Sequence, residues 1–183
     1  MKRAVLMSIQ PRWCEKILRG EKTVEVRKTR PTLMQTPFKV YVYCTKPRLE
    51  HEDFFALVGK QSFYGGGKVI GEFVCGRIDR LVHIGYTGDQ ERPKYRIVDD
   101  WQKAHDISRL LEAACLTEEE LETYLKGKTG FGWHISDLKI YDKPRGLSEW
   151  TGLRFTRFGA EPVDIKRPPQ SWHYVQENEG VLN

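Results

Sequence analysis

Strand patterns outnumber helical ones along this chain. Ala4-Val5-Leu6-Met7-Ser8-Ile9 is an apolar run of strand length and reads as a buried strand. Thr23 to Arg27 alternates strictly, so Val24 and Val26 point to a core while Thr23, Glu25 and Arg27 point the other way. Phe38–Cys44 predicts a third strand. Val69–Ile78 predicts the longest, with Gly71 and Gly76 marking a bend or bulge. Phe131–Ser136, Leu138–Tyr141 and a last short strand at Trp172–Val175 complete the set.

The helical signals are short. Pro11 stands where a first helical residue would and Gly20 where a helix would end, with Trp13, Cys14, Ile17 and Leu18 forming one stripe between them. Thr117-Glu118-Glu119-Glu120 has the form of a capping box, with Leu116 and Leu121 placed as its hydrophobic staple. The stretch 46–68 reads as an insertion, helical over Leu49–Val58 and a turn or loop at Tyr64–Lys68. Residues 85–100 read as polar and irregular. Strands in the majority with short connecting helices predict an α+β, mainly β chain: a small mixed β-barrel with peripheral helices.

A length of 183 residues, 39% of them hydrophobic, suits one domain over 1–183, with an extension from about 144. The apolar content excludes a disordered tail, and no apolar run reaches membrane-span length. The basic start at Lys2-Arg3 is followed by no signal-peptide pattern, so a cytoplasmic location is expected. Cys14, Cys44, Cys75 and Cys115 are evenly spread, and neither they nor His51, His83, His105, His134 and His173 have metal-ligand spacing. Free thiols, no metal and no cofactor are the expectation. Charge is more informative. The formal net charge is +5, yet residues 1–50 hold 12 Lys/Arg against 4 Asp/Glu, which suggests an anionic partner such as nucleic acid. Residues 98–125 are strongly acidic, and the capped helix accounts for much of that.

The densest chemistry lies in Gly20-Glu21-Lys22-Thr23-Val24-Glu25-Val26-Arg27. Lys22, Glu25 and Arg27 form a cation–anion–cation set able to hold a phosphate or a base edge, with Arg27 as a bidentate donor. A lysine beside a guanidinium is also a candidate nucleophile or general base. The same spacing fits residues pairing across solvent, worth well under ~1 kcal/mol. Glu72, flanked on its strand face by Ile70 and Val74, needs a partner if it is buried; Lys22 and Arg27 are candidates, and an exposed edge position is the alternative. Trp13, Trp133, Trp172 and Tyr174 could stack on bases, with core packing the expected role of Trp133. Gly65-Gly66-Gly67-Lys68 lacks the spacing of a P-loop and reads as a lip beside the site.

The run from Leu6 to Pro11, and then Ile17-Leu18-Arg19-Gly20 through Lys28, resembles the opening of ASCH-domain proteins, with their Gly-x-Lys-x-x-Glu-x-Arg signature. Val69-Ile70-Gly71-Glu72-Phe73 resembles their second strand block. Phe131 to Leu138, Pro144, Leu147-Ser148-Glu149-Trp150 and Pro168 to Trp172 resemble the tail of longer bacterial and phage members. The resemblance implies a PUA-like barrel with a cleft beside the first helix, and RNA or a modified nucleoside as ligand. It also implies, as an alternative, a hydrolase: one branch removes acetyl from N4-acetylcytidine with the lysine matching Lys22, and ribonuclease activity is known in the superfamily. That branch's threonine position carries Glu25 here, and Glu112 is the nearest match to its glutamate. On this reading Lys22, Glu25 and Glu72 are the catalytic candidates, and Lys22, Thr23, Glu25, Arg27, Trp13, Trp172 and Tyr174 the binding candidates. A protein-interaction module, using 46–68 as its variable surface, is the remaining reading.

Overall fold

The computed structural model describes residues 2–46, 55–58, 61–64, 66–85 and 94–178. The chain opens with β1 (Arg3–Ile9), α1 (Pro11–Leu18), β2 (Val24–Arg27) and β3 (Phe38–Cys44). Next come β4 (Phe55–Val58), β5 (Gln61–Tyr64), β6 (Lys68–Cys75), β7 (Ile78–His83), β8 (Tyr95–Val98) and β9 (Ala104–His105). Helices α2 (Ser108–Ala114) and α3 (Glu118–Leu125) precede β10 (Gly130–His134) and β11 (Ser136–Arg145). A single 3-10 turn at Leu147–Glu149 leads to β12 (Thr151–Thr156), β13 (Gly159–Asp164) and β14 (Trp172–Gln176).

These elements form two compact units: Met1–Arg19 with Pro37–Val74 and Asp137–Asn183, and Gly20–Thr36 with Cys75–Ser136. The first holds a seven-stranded sheet in the order β11-β6-β3-β1-β14-β12-β13. Strand β1 runs parallel to β3, Val5 facing Val40, and antiparallel to β14, Val5 facing Tyr174. Ala4 to Ile9 are all buried, so β1 is apolar on both faces, as its continuous run predicts. One face gathers Ala4, Leu6, Tyr41, Tyr43 and Val175 with Val69, Tyr141 and Trp150. Helix α1 starts at Pro11, buries Cys14 and Ile17, and is followed by Gly20 in the left-handed region at φ +72°.

The second unit holds a five-stranded sheet, β2-β10-β7-β8-β9. Helices α2 and α3 cover one face, with Leu110, Leu111, Ala114, Leu121 and Leu125 packed on Val24, Val26 and Leu81. The capping box of α3 forms as its sequence predicts. The Glu120 amide donates to the Thr117 hydroxyl at 3.1 Å, the Thr117 amide to the Glu120 carboxylate at 2.9 Å, and Leu116 packs on the cluster that holds Leu121.

Three expectations are corrected. The fold is mainly β, but the sheets are not closed into a barrel. In the seven-stranded sheet β11 and β13 remain edges, as β2 and β9 do in the five-stranded one, because no ladder joins one edge to the other among the described residues. Within 46–68, Phe55–Val58 is a strand and not a helix; it pairs with β5 from Phe55–Tyr64 to Val58–Gln61. Phe, Val and Tyr at both ends of that hairpin favour strand geometry, and residues 47–54 lie outside the described set. Tyr95–Val98, in the stretch read as irregular, forms β8 against β7.

Gly71 marks a close backbone approach. A Cβ there would sit 2.5 Å from the Lys139 carbonyl oxygen on β11 and 3.2 Å from Ile140 Cα, backbone atoms that cannot swing away. Gly71→Ala is therefore expected to destabilise the protein by about 2 kcal/mol, the usual cost of overpacking, read as a lower urea midpoint. A midpoint matching wild type would mean that the sheet slides freely here.

Candidate functional site

Strand β2 is buried on both faces. Val24 and Val26 enter the helix-covered core, while Glu25 and Arg27 point the other way and are only 6% and 9% exposed. The alternation gives the directions correctly, but it does not reveal that the polar face is covered too. Register explains part of it: Glu25 lies opposite Trp133, which is fully buried, and Arg27 opposite Phe131.

Around Glu25 the charges interlock. Arg27 Nη2 lies 3.0 Å from Glu25 Oε1, and Lys22 Nζ lies 3.3 Å from Glu25 Oε2. The Lys22 ammonium also donates to the Ala114 carbonyl at 2.6 Å, and the Thr23 amide donates to the Ala113 carbonyl at 2.8 Å. Residues 22 and 23 thus satisfy carbonyls at the end of α2, where a helix leaves acceptors open and favours a cation. The Cys115 thiol donates to the Glu21 carbonyl at 3.4 Å, a third stitch in the same seam. Tyr124 on α3 stands by this group. Burial pushes its phenol up, Arg27 pulls it down, and Glu25 adds to the rise. Lys28 Nζ sits 4.9 Å from the Tyr124 ring centre.

Glu72, Trp13, Trp172 and Tyr174 belong to the first unit. Glu72 is paired there with Lys39 Nζ at 3.1 Å and accepts from the Tyr141 hydroxyl at 2.6 Å. Burial and that carboxylate together push the Tyr141 phenol up. Lys39 also reaches Glu177 at 3.6 Å. Trp13 is half-buried, with the Arg12 guanidinium 4.6 Å from its ring centre. Trp172 and Tyr174 meet edge to face at 5.2 Å, and Phe155 meets Tyr174 at 5.0 Å. Glu112 is exposed on α2. Lys22, Glu25 and Arg27 are therefore brought together, with Thr23 joining through its backbone; Glu72, Trp13, Trp172 and Tyr174 sit in surroundings of their own.

Sequence reasoning missed one cluster in the second unit. Asp79 on β7, 8% exposed, receives Arg77 Nε at 2.6 Å on Oδ1 and Arg77 Nη2 at 2.8 Å on Oδ2. His134 Nε2 lies 2.8 Å from the same Oδ2. Burial alone would push the Asp79 carboxyl up; the hydrogen bonds of His134 and Arg77 outweigh it and hold it below the usual carboxylate range. Arg77-x-Asp79 at strand spacing was the available signal, but His134 is far away in sequence. Among the described residues no group of three His, Cys, Asp or Glu side chains is set to hold a metal, and no helix is long and apolar enough to cross a membrane.

Two outcomes follow from these contacts. Lys22→Met leaves the buried Glu25 with one cation fewer and removes a helix-end donor, so a loss of about 3 kcal/mol in urea unfolding is expected; a loss under about 0.5 kcal/mol would contradict the described pairing. Asp79, with its folded-state pKa depressed, contributes stability that is present above the ordinary carboxylate value near about 4 and is lost as pH falls through the lower folded value. Asp79→Asn should be less stable at neutral pH and lose less on acidification. An identical acid limb in both proteins would argue against that assignment.

No family model matches the chain, and no curated protein matches it. Solved structures do. The ASCH protein of Zymomonas mobilis is 18% identical, aligned over 95% of this chain and 88% of that one, with a TM-score of 0.49. Its mutant with tyrosine changed to phenylalanine is 17% identical over 96% and 92%, also at 0.49. Its mutant with serine changed to alanine is 17% identical over 95% and 89%, at 0.50. Identity this low speaks for the fold alone, and the fold of this chain is that of an ASCH protein.

Proposed function

We propose that the chain is an ASCH module that binds RNA or a modified nucleotide, and that the group around Glu25 reads a base edge. The supporting observation is a single atom. Glu25 Oε2 is buried and accepts no hydrogen bond among the described residues; Lys22 faces it at 3.3 Å as an ion pair without hydrogen-bond alignment. A buried charged acceptor matched by charge alone still forgoes a hydrogen bond worth about 1.5–3 kcal/mol. A ligand N–H that reached it would recover that cost. The exocyclic amino group of cytosine is such a donor for a carboxylate, and that of adenine offers the same chemistry.

The cations fit the same reading. Lys22 and Arg27 fix the orientation of the carboxylate and leave the trio with a net positive charge, which favours a phosphate-bearing ligand over a neutral one. In the first unit, Trp172, Tyr174 and Phe155, with Arg3 5.3 Å from the Phe155 ring centre, are candidates for stacking in their own right. A hydrolase with Lys22 as nucleophile draws on the same site but has less support, because the ammonium is tied to the end of α2 through Ala114. There Lys22 acts as a positioning group.

Fluorescence anisotropy with short cytidine- and adenosine-containing oligoribonucleotides tests this reading. Glu25→Gln, which turns the acceptor into a mixed donor and acceptor, should weaken binding about tenfold or more, as the loss of one good base contact does. Wild-type affinity should also fall steeply with salt. Binding unchanged by Glu25→Gln would overturn the assignment. Turnover of an acylated cytidine that vanishes in Lys22→Ala would favour the hydrolase.

A further inference from the structure

The cluster of Arg77, Asp79 and His134 shares no residue with the Glu25 site, and what it turns outward differs from what it turns inward. The Asp79 side chain is 9% exposed and its two oxygens take three contacts, all from nitrogen. Arg77, in contrast, is 65% exposed and His134 is 34% exposed. Arg77 uses Nε and Nη2 on Asp79, leaving Nη1 without a partner among the described residues. His134 uses Nε2, leaving Nδ1 likewise. Because a carboxylate only accepts, the Nε2 facing it carries the proton, and Nδ1 is the nitrogen that gains or loses one.

The backbone holds this pair in place. The His134 amide donates to the Arg77 carbonyl at 3.0 Å, and Trp133 pairs with Ile78 and Gly132 with Asp79 across β10 and β7. Arg77 Nη2 and His134 Nε2 share one oxygen of Asp79, so the two side chains stand side by side. We propose that Arg77 and His134, aligned on Asp79, form a binding site for a phosphate group, with occupancy coupled to the proton on His134 Nδ1. The guanidinium and the imidazole, on side chains open to solvent and held on one carboxylate, each keep one nitrogen that Asp79 does not use, a match for two oxygens of one tetrahedral anion. Asp79 cancels the charge of Arg77, so the cluster is neutral with His134 neutral and carries one positive charge with His134 protonated. The anion therefore binds the protonated form more tightly. The titratable groups set against His134 among the described residues are Asp79 and Arg77, with the Cys75 thiol against its backbone. On β2 its register partner is the uncharged Val24.

Proton NMR of the histidine rings in the full chain is the test, with His134 titrated in inorganic phosphate and in chloride at equal ionic strength. Phosphate should raise the His134 midpoint by about half to one pH unit, a differential affinity of roughly three- to tenfold. His83, His105 and His173 should not move. In Arg77→Gln, a change at an exposed side chain, the difference between phosphate and chloride should disappear while His134 still titrates. A His134 midpoint equal in both salts overturns the proposal. So does a phosphate effect that survives in Arg77→Gln, or one shared equally by the other histidines.

Discussion

Burying three charged side chains around Glu25 is the constraint on which the second unit depends. Taking ions out of water costs several kcal/mol each unless they are matched to one another. Here the matching is done by sequence neighbours on one strand and its preceding loop. Arg27 and Lys22 flank one carboxylate, and Lys22 extends the chain of contacts to the end of α2. The loop before β2 is thereby fixed to α2, α2 is fixed on Val24 and Val26, and the strand that carries the charges also anchors the core. The site and the packing share the same residues.

Three carboxylates show how differently one functional group is finished in this fold. Asp79 is matched on both oxygens, by the guanidinium on each and by the imidazole on Oδ2. Glu72 is matched by Lys39 and a tyrosine hydroxyl. Glu25 is more buried than Glu72 and has two cations beside it, yet one of its oxygens receives no hydrogen bond among the described residues. Pairing by charge without pairing by hydrogen bond leaves a directional acceptor in a low-dielectric setting, where a donor of the right shape gains most.

The sequence made local structure legible wherever the cause was local. Strict alternation set the faces of β2, Pro11 and Gly20 bounded α1, and Thr117 with Glu120 capped α3. Features that depend on distant partners were not legible. Alternation says where Glu25 points and not whether Trp133, more than a hundred residues on, will cover it. Glu72 needed a partner, as its apolar flanks indicated, but only the sheet order brings Lys39 and Tyr141 to it. Helix α2 escaped because its first amide is met by Asp106, two residues before Ser108, and not by the residue at the cap position itself. Barrel closure failed as an inference because it requires the edge strands to pair, a matter of topology that strand count does not decide.

The central claim is that the charged group around Glu25, besides tying β2 to α2, presents its carboxylate to a ligand. Its most direct test replaces all three at once, as Lys22→Met, Glu25→Leu and Arg27→Met, and measures unfolding and oligoribonucleotide affinity on the same preparation. A buried ionic group exchanged for apolar residues of similar size is often neutral or stabilising. The account predicts a folded protein that no longer binds. A folded triple variant that binds as wild type does would contradict it.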